Sequence, residues 1–176
     1  MVVRVDIERE TIEERGKQMN TSKYGQFVIT DTPKNMAHPG HSNMIWIWDE
    51  LKGTVKGAFY LECDLVTQKD TEGPKYKPHN HDFDEYLVFL GTNPADPSDL
   101  GGEVEIWLGD EEKHTLTKSC AVFVPRGVYH TPLIFKRVDR PIMMVRTGNT
   151  VKYRHLSYSK HPRWDNLSDN PPGLPE

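Results

Sequence analysis

The clearest pattern in the chain is alternation of apolar and polar residues in short runs. From Ala58 to Thr67, Phe59, Leu61, Cys63 and Leu65 fall on one face, and Tyr60, Glu62, Asp64 and Val66 on the other. Period two marks a half-buried strand, and the first face, being the more apolar, is expected to claim the core. Glu103–Leu108 alternates in the same way, and strand-like runs recur at Tyr24–Thr30, His114–Thr117, Cys120–Val124, His130–Phe135 and Pro141–Thr147. Residues 79–90 read as one bent strand or two. Ile45–Leu51 (IWIWDEL) is too short to assign by periodicity and is expected to pack on the rest as a strand or a short helix. Only residues 6–20 suggest a longer helix, charged, with Thr11 and Glu14 at capping-box spacing.

Turn signals separate these runs. Residues 31–44 hold Pro33, Pro39 and Gly40, with His38 and His41 read as loop histidines. Residues 68–78 form a polar turn, 91–102 an exposed hairpin loop of unusual length, and Pro125-Arg126-Gly127 a tight turn. After Gly148 the alternation stops, and Tyr153, Tyr158, Trp164 and several prolines describe a tail that packs by its aromatics and ends loose. The result is an all-β fold, a sandwich or barrel, with a short N-terminal helix and an irregular C-terminal tail. It divides into a helix and packing arm over 1–54, a barrel over 55–147 and the tail over 148–176.

Composition narrows the classes. A length of 176 residues favours one domain, and 13 Gly with 13 Pro suit a turn-rich β fold. A net charge of −4 without a basic face argues against nucleic acid. No run approaches the roughly 18 apolar residues of a membrane span, and the N-terminus lacks a signal peptide's apolar core. Cys63 and Cys120 are far apart and form no CxxC, so both are expected to be reduced, buried thiols in a cytoplasmic protein.

The chemistry concentrates in residues 73–91, GPKYKPHNHDFDEYLVFLG. On a strand His79 and His81 point the same way, and two such imidazoles can share one ion. Glu85 follows at an even offset, and a turn at Asp82-Phe83-Asp84 would swing its carboxylate back. Imidazole with carboxylate suits Zn, Fe, Mn, Co, Ni or Cu. A fourth candidate, His130, follows the Pro-x-Gly turn. His114 and His155 have no partner at ligand spacing.

Together these stretches resemble the cupin superfamily. Gly73, His79-x-His81, Glu85 and Gly91 follow its first motif, with the last spacing one residue short. Pro125-x-Gly127-x2-His130 follows the second, with Ser119 in place of Gly and Ile134 in place of Asn. The resemblance covers about residues 55–147. It implies a double-stranded β-helix, or jelly-roll barrel, holding one divalent transition metal (Fe, Mn, Ni, Co or Zn) on His79, His81, Glu85 and His130. Ile134 shares the parity of His130 and is expected to face the cavity and dry it. Arg126 at the rim, Tyr60 and Trp107 are the other possible substrate contacts; Tyr129 is expected to point away, and Asp82 and Asp84 to cap the turn or face solvent.

Three functions follow. The preferred one is a metal-dependent enzyme acting on a small organic molecule, of dioxygenase type or of isomerase or decarboxylase type. The alternatives are a non-catalytic barrel that binds or senses a small molecule, and a barrel whose metal is structural. A homodimer is expected, from the resemblance and because Trp46, Trp48 and Trp164 need a surface to cover.

Overall fold

The computed structural model describes residues 23–30, 40–48 and 55–169. The helix expected over 6–20, His38 and the loose end of the tail lie outside these residues. Among the described residues ten strands form two antiparallel sheets: β1 (His41–Ile47), β2 (Leu61–Val66), β3 (His79–Asn80), β4 (Glu85–Gly91), β5 (Asp99–Leu108), β6 (Glu112–Lys118), β7 (Cys120–Val124), β8 (His130–Val138), β9 (Ile142–Gly148) and β10 (Ser157–Tyr158). One sheet has the order β1-β2-β9-β4-β7 and the other β10-β3-β8-β5-β6. Sequence neighbours are thus dealt between two facing layers, as in a jelly roll.

Between the sheets lies an apolar core of Val66, Leu87, Phe89, Leu100, Val104, Ile106, Phe135 and Ile142, all buried. Strand β4 shows how it meets the site. Glu85, Leu87 and Phe89 point inward while Tyr86, Val88 and Leu90 point out. Moving along the inward side from Glu85 to Phe89 therefore runs from a polar end into the apolar core. A second cluster, Trp46, Trp48, Tyr60 and Phe83 with Tyr153 against it, closes the polar end.

Several expectations change. Tyr24–Thr30 is not a strand: Gly25–Phe27 is a single 3-10 turn, and Phe27 and Val28 are exposed. The loop after Gly91 is shorter than expected, because Asp99–Gly102 already belong to β5 and Leu100 is fully buried. Gly91 is required there, since a Cβ on it would sit 1.8 Å from the Asp99 carbonyl oxygen. The largest change is in β2. Its outward face is the apolar one, with Phe59 exposed, while Tyr60, Glu62, Asp64 and Val66 are buried. Apolarity misleads here because the inward polar residues neutralise one another across the sheet.

The tail is also more integrated than a packing appendage. Strand β10 pairs with β3, placing Tyr158 opposite His79. Trp164 is buried and meets Trp107 edge-on at 5.2 Å, with the Arg163 guanidinium over the Trp107 ring. Trp46, Trp48 and Trp164 are thus covered within the chain.

Candidate metal centre

Three strands and one turn bring the ligand candidates together. His79 on β3 is the register partner of His130 on β8. His81 follows β3, and Glu85 opens β4 after a turn that Asp84 caps by accepting the Arg126 N–H at 2.9 Å. Ligand atoms of His79, His81 and His130 all lie within 4.8 Å of one another. Glu85 Oε2 sits 3.0 Å from His130 Nε2 and 3.7 Å from His81 Nε2. His81, Glu85 and His130 are 2%, 2% and 1% exposed.

Their outward nitrogens are fixed from behind. The Arg154 carbonyl lies 2.7 Å from His81 Nδ1 and so accepts its proton, leaving the Nε2 lone pair facing the centre. The Val128 carbonyl does the same for His130 Nδ1 at 3.3 Å. Phe83 stacks on His81 at 4.5 Å and holds the plane of that ring. Burial, joined by the neighbouring His130, holds His79 well below the usual imidazole range, and burial likewise lowers His81. Neutral imidazole is the form that ligates a metal.

The arrangement fits a cation. His81 Nε2 and Glu85 Oε2 are buried and have no hydrogen-bond partner. Unpaired buried acceptors cost free energy, and here they converge with no donor between them. A divalent ion on three imidazoles and one carboxylate would satisfy all of them.

The site opens onto a cavity of about 230 Å³. Trp46, Leu87, Leu133, Phe135 and Met144 form its apolar walls, and Lys75 and Tyr76 of the 68–78 loop stand at one side. That loop is held by Asp70, whose carboxylate accepts the Phe135 N–H at 2.7 Å. His41, read from sequence as a loop histidine, is the first residue of β1 and also lines the cavity, edge-on to Phe135.

None of the expected substrate contacts lines the cavity; Tyr60 lies behind its wall, against Glu62. It is fully buried and donates to Glu62 Oε2 at 3.1 Å. Arg126 does not line the cavity; its side chain is 67% exposed and pairs with Asp84. Trp107 faces the tail instead. Ile134 does not face the cavity either. The register between β5 and β8 shifts between Leu108↔His130 and Ile106↔Leu133, where Thr131 takes φ +69°. This irregularity breaks the parity, so Leu133 and Phe135 line the cavity in its place.

Sequence reasoning missed Arg146, Tyr153 and His155, which also line the cavity. Arg146 on β9 reaches across to β2, donating to Glu62 Oε1 at 2.6 Å and to Asp64. Burial works against the Arg146 charge, but Glu62, then Tyr60 and Asp64, outweigh it and raise its pKa. Burial pushes Glu62 above the usual carboxylate range. A signal was present: Arg146 has the same parity as Ile142 and Met144 in an otherwise apolar strand. His155, in the tail, stacks on His79 at 3.8 Å and lies between the hydroxyls of Tyr153 (3.0 Å) and Tyr158 (2.8 Å). Burial drops its pKa to about 3. No spacing rule relates residue 155 to residue 79.

No protein-family model matches the chain, and no curated protein matches it by sequence. Solved structures overlap it in part. Hydroxypropylphosphonic acid epoxidase from S. wedmorenis is 13% identical, with a TM-score of 0.44 over 69% of this chain and 56% of that one. The chain therefore spans little more than half the length of that enzyme. KdgF from Halomonas sp. is 14% identical, with a TM-score of 0.40 over 70% of this chain and 94% of that one. An RmlC-like cupin from Shewanella frigidimarina NCIMB 400 is 15% identical, with a TM-score of 0.41 over 68% and 86%.

Proposed function

We propose that this chain, a jelly-roll barrel of cupin type, is a metal-dependent enzyme acting on a small organic molecule. The observation that carries the proposal is the convergence of His81 Nε2 and Glu85 Oε2, both buried and unpaired, beside the three-histidine cluster at the wall of a cavity. His79, His81, Glu85 and His130 would hold the ion. When bound, a divalent metal supplies Lewis-acid polarisation of a substrate oxygen, and a redox-active one adds oxygen chemistry.

The chain's own residues do the rest. The Arg154 and Val128 carbonyls keep the His81 and His130 tautomers that present Nε2 to the centre. Trp46, Leu87 and Met144 exclude water from the far side of the cavity, which strengthens every polar contact made inside it. Catalysis is preferred over simple binding because a buried carboxylate with a raised pKa, Glu62, shares the cavity with the ligands.

The test has two stages. Purified protein should contain about one equivalent of a divalent metal, and His81→Ala should lose it. Metal at trace level in wild type, with no change in His81→Ala, refutes the metal site. Oxygen consumption and product formation are then followed over a substrate panel with Fe(II), Mn, Co, Ni and Zn. Ligand binding with silence for every metal points to a binding or sensing barrel.

A further inference from the structure

We propose that Glu62 and Arg146 form a second polar anchor in the cavity, one that selects a substrate bearing an uncharged hydroxyl opposite its metal-binding end. The inference rests on the metal reading above and names the substrate class of the same site.

Placement comes first. Glu62 on β2 and Arg146 on β9 are register partners, and Leu87 on β4 faces Arg146 from the other side. Glu85 is two residues from Leu87, so Arg146 is its diagonal neighbour on the inner face. Diagonal neighbours across a sheet stand about 7–8 Å apart. A small molecule held at the ligand cluster can therefore reach the pair across a few bonds, and both residues line the cavity.

Hydrogen-bonding capacity comes next. The Arg146 Nη2 is spent on Glu62 and Asp64, while Nη1 makes no hydrogen bond among the described residues. A quarter of the Arg146 side chain is accessible, and it faces the cavity. Glu62 takes one hydrogen bond on each oxygen, from Arg146 and from Tyr60, which leaves lone pairs on both. The pair thus offers a donor and an acceptor side by side. A hydroxyl, which both donates and accepts, matches it.

Charge then excludes the obvious alternative. An arginine in a cavity ordinarily suggests a carboxylate or phosphate ligand. Here Glu62 and Asp64 already balance the guanidinium, and Glu62 lines the cavity beside it. A second anion would meet the Glu62 carboxylate across a cavity whose walls are largely apolar. The walls beside the pair are apolar (Trp46, Leu87, Met144), so the body of the molecule joining its two polar ends is apolar too.

The experiment uses metal-loaded full-length protein and three probes: benzohydroxamate, whose hydroxamate binds the metal, and its 4-hydroxy and 4-carboxy forms. Wild type should bind the 4-hydroxy probe about tenfold tighter than the parent, the worth of one hydrogen bond to a charged group, and the 4-carboxy probe more weakly than the parent. In Glu62→Gln the preference for hydroxyl over carboxyl should shrink about tenfold while the metal stays bound. Arg146→Lys keeps the ion pairs but withdraws the second nitrogen, and should lose the hydroxyl gain. Equal or tighter binding of the 4-carboxy probe by wild type overturns the inference. So does a preference that survives both variants with the metal in place, which is the behaviour of a purely structural ion cluster. Wild type without metal instead overturns the metal reading, and this inference with it.

Discussion

Glu85 Oε2 and His130 Nε2 lie 3.0 Å apart, both buried, and the His130 proton is held on the opposite ring nitrogen by the Val128 carbonyl. Two acceptors that close repel unless something positive lies beside them. An added proton or a metal ion would serve, and the unpaired His81 Nε2 pointing at the same place favours the ion.

Removing the metal should therefore destabilise the fold as well as empty the site. With free metal at about 100 times its Kd, binding contributes about 2.7 kcal/mol. For a chain of this size that is a fall in Tm of roughly 5–10 °C on chelation. Glu85→Gln should hold less than about a tenth of the wild-type metal and show no chelator effect on Tm. Metal analysis with differential scanning calorimetry checks both, and an equal chelator shift in Glu85→Gln would remove Glu85 from the ligand set.

Arg146 should matter most to stability among the cavity residues. It is the cation paired with both Glu62 and Asp64, whose side chains are nearly buried. Arg146→Met leaves two carboxylates without their cation, a change that costs about 3–5 kcal/mol. Chemical denaturation measures it. A loss below about 1 kcal/mol, the surface-pair range, would show that the cluster is well hydrated.

How much of this was legible in the sequence depends on whether a position's surroundings are local. The candidate ligands lie on two short segments with fixed spacing, His79-x-His81-x3-Glu85 and Pro125-x-Gly127-x2-His130, and the structure brings all four side chains together. The strand pattern was legible for the same reason, since period two is a local property. The inward face of β2 was not. Glu62 and Asp64 look like solvent residues until Arg146, more than 80 residues later, is placed beside them. Ile134 failed because one irregularity at Thr131 reverses parity, and a parity count cannot see a bulge. His155 and Tyr153 arrive on a tail without periodicity, so only tertiary packing could assign them.

The pH dependence of stability should carry the signature of Glu62. Burial raises its pKa in the folded state above the ordinary value of 4.5. As pH rises through that value the unfolded chain loses the Glu62 proton first, so the folded state binds more protons. Stability from this group is complete below pH 4.5 and is lost as pH rises through the folded pKa. Glu62→Gln has no such titration. The difference in unfolding free energy, variant minus wild type, should rise with pH across this window and then level off. Urea melts of both proteins at a series of pH values give it directly, because the histidine contributions cancel in the difference. A flat or falling difference would mean that the Arg146 pair outweighs burial.

Two glycines separate the fold from the site. A Cβ at Gly91 would lie 1.8 Å from the Asp99 carbonyl oxygen, a backbone clash remote from the ligands. A Cβ at Gly148 would lie 2.6 Å from the Phe83 ring, which stacks on His81. Both substitutions to alanine overpack and should cost about 1–3 kcal/mol or more. Their effects on metal should differ. Phe83 can relieve the Gly148→Ala clash only by moving the face that orients His81, and loss of a supporting contact to a ligand costs about 10–100-fold in metal affinity. Gly91→Ala should bind metal as wild type does while it remains folded. Metal titration of both variants, well below their Tm, is the measurement. Equal metal affinity in the two would show that the Phe83 stack leaves His81 free to find its own position.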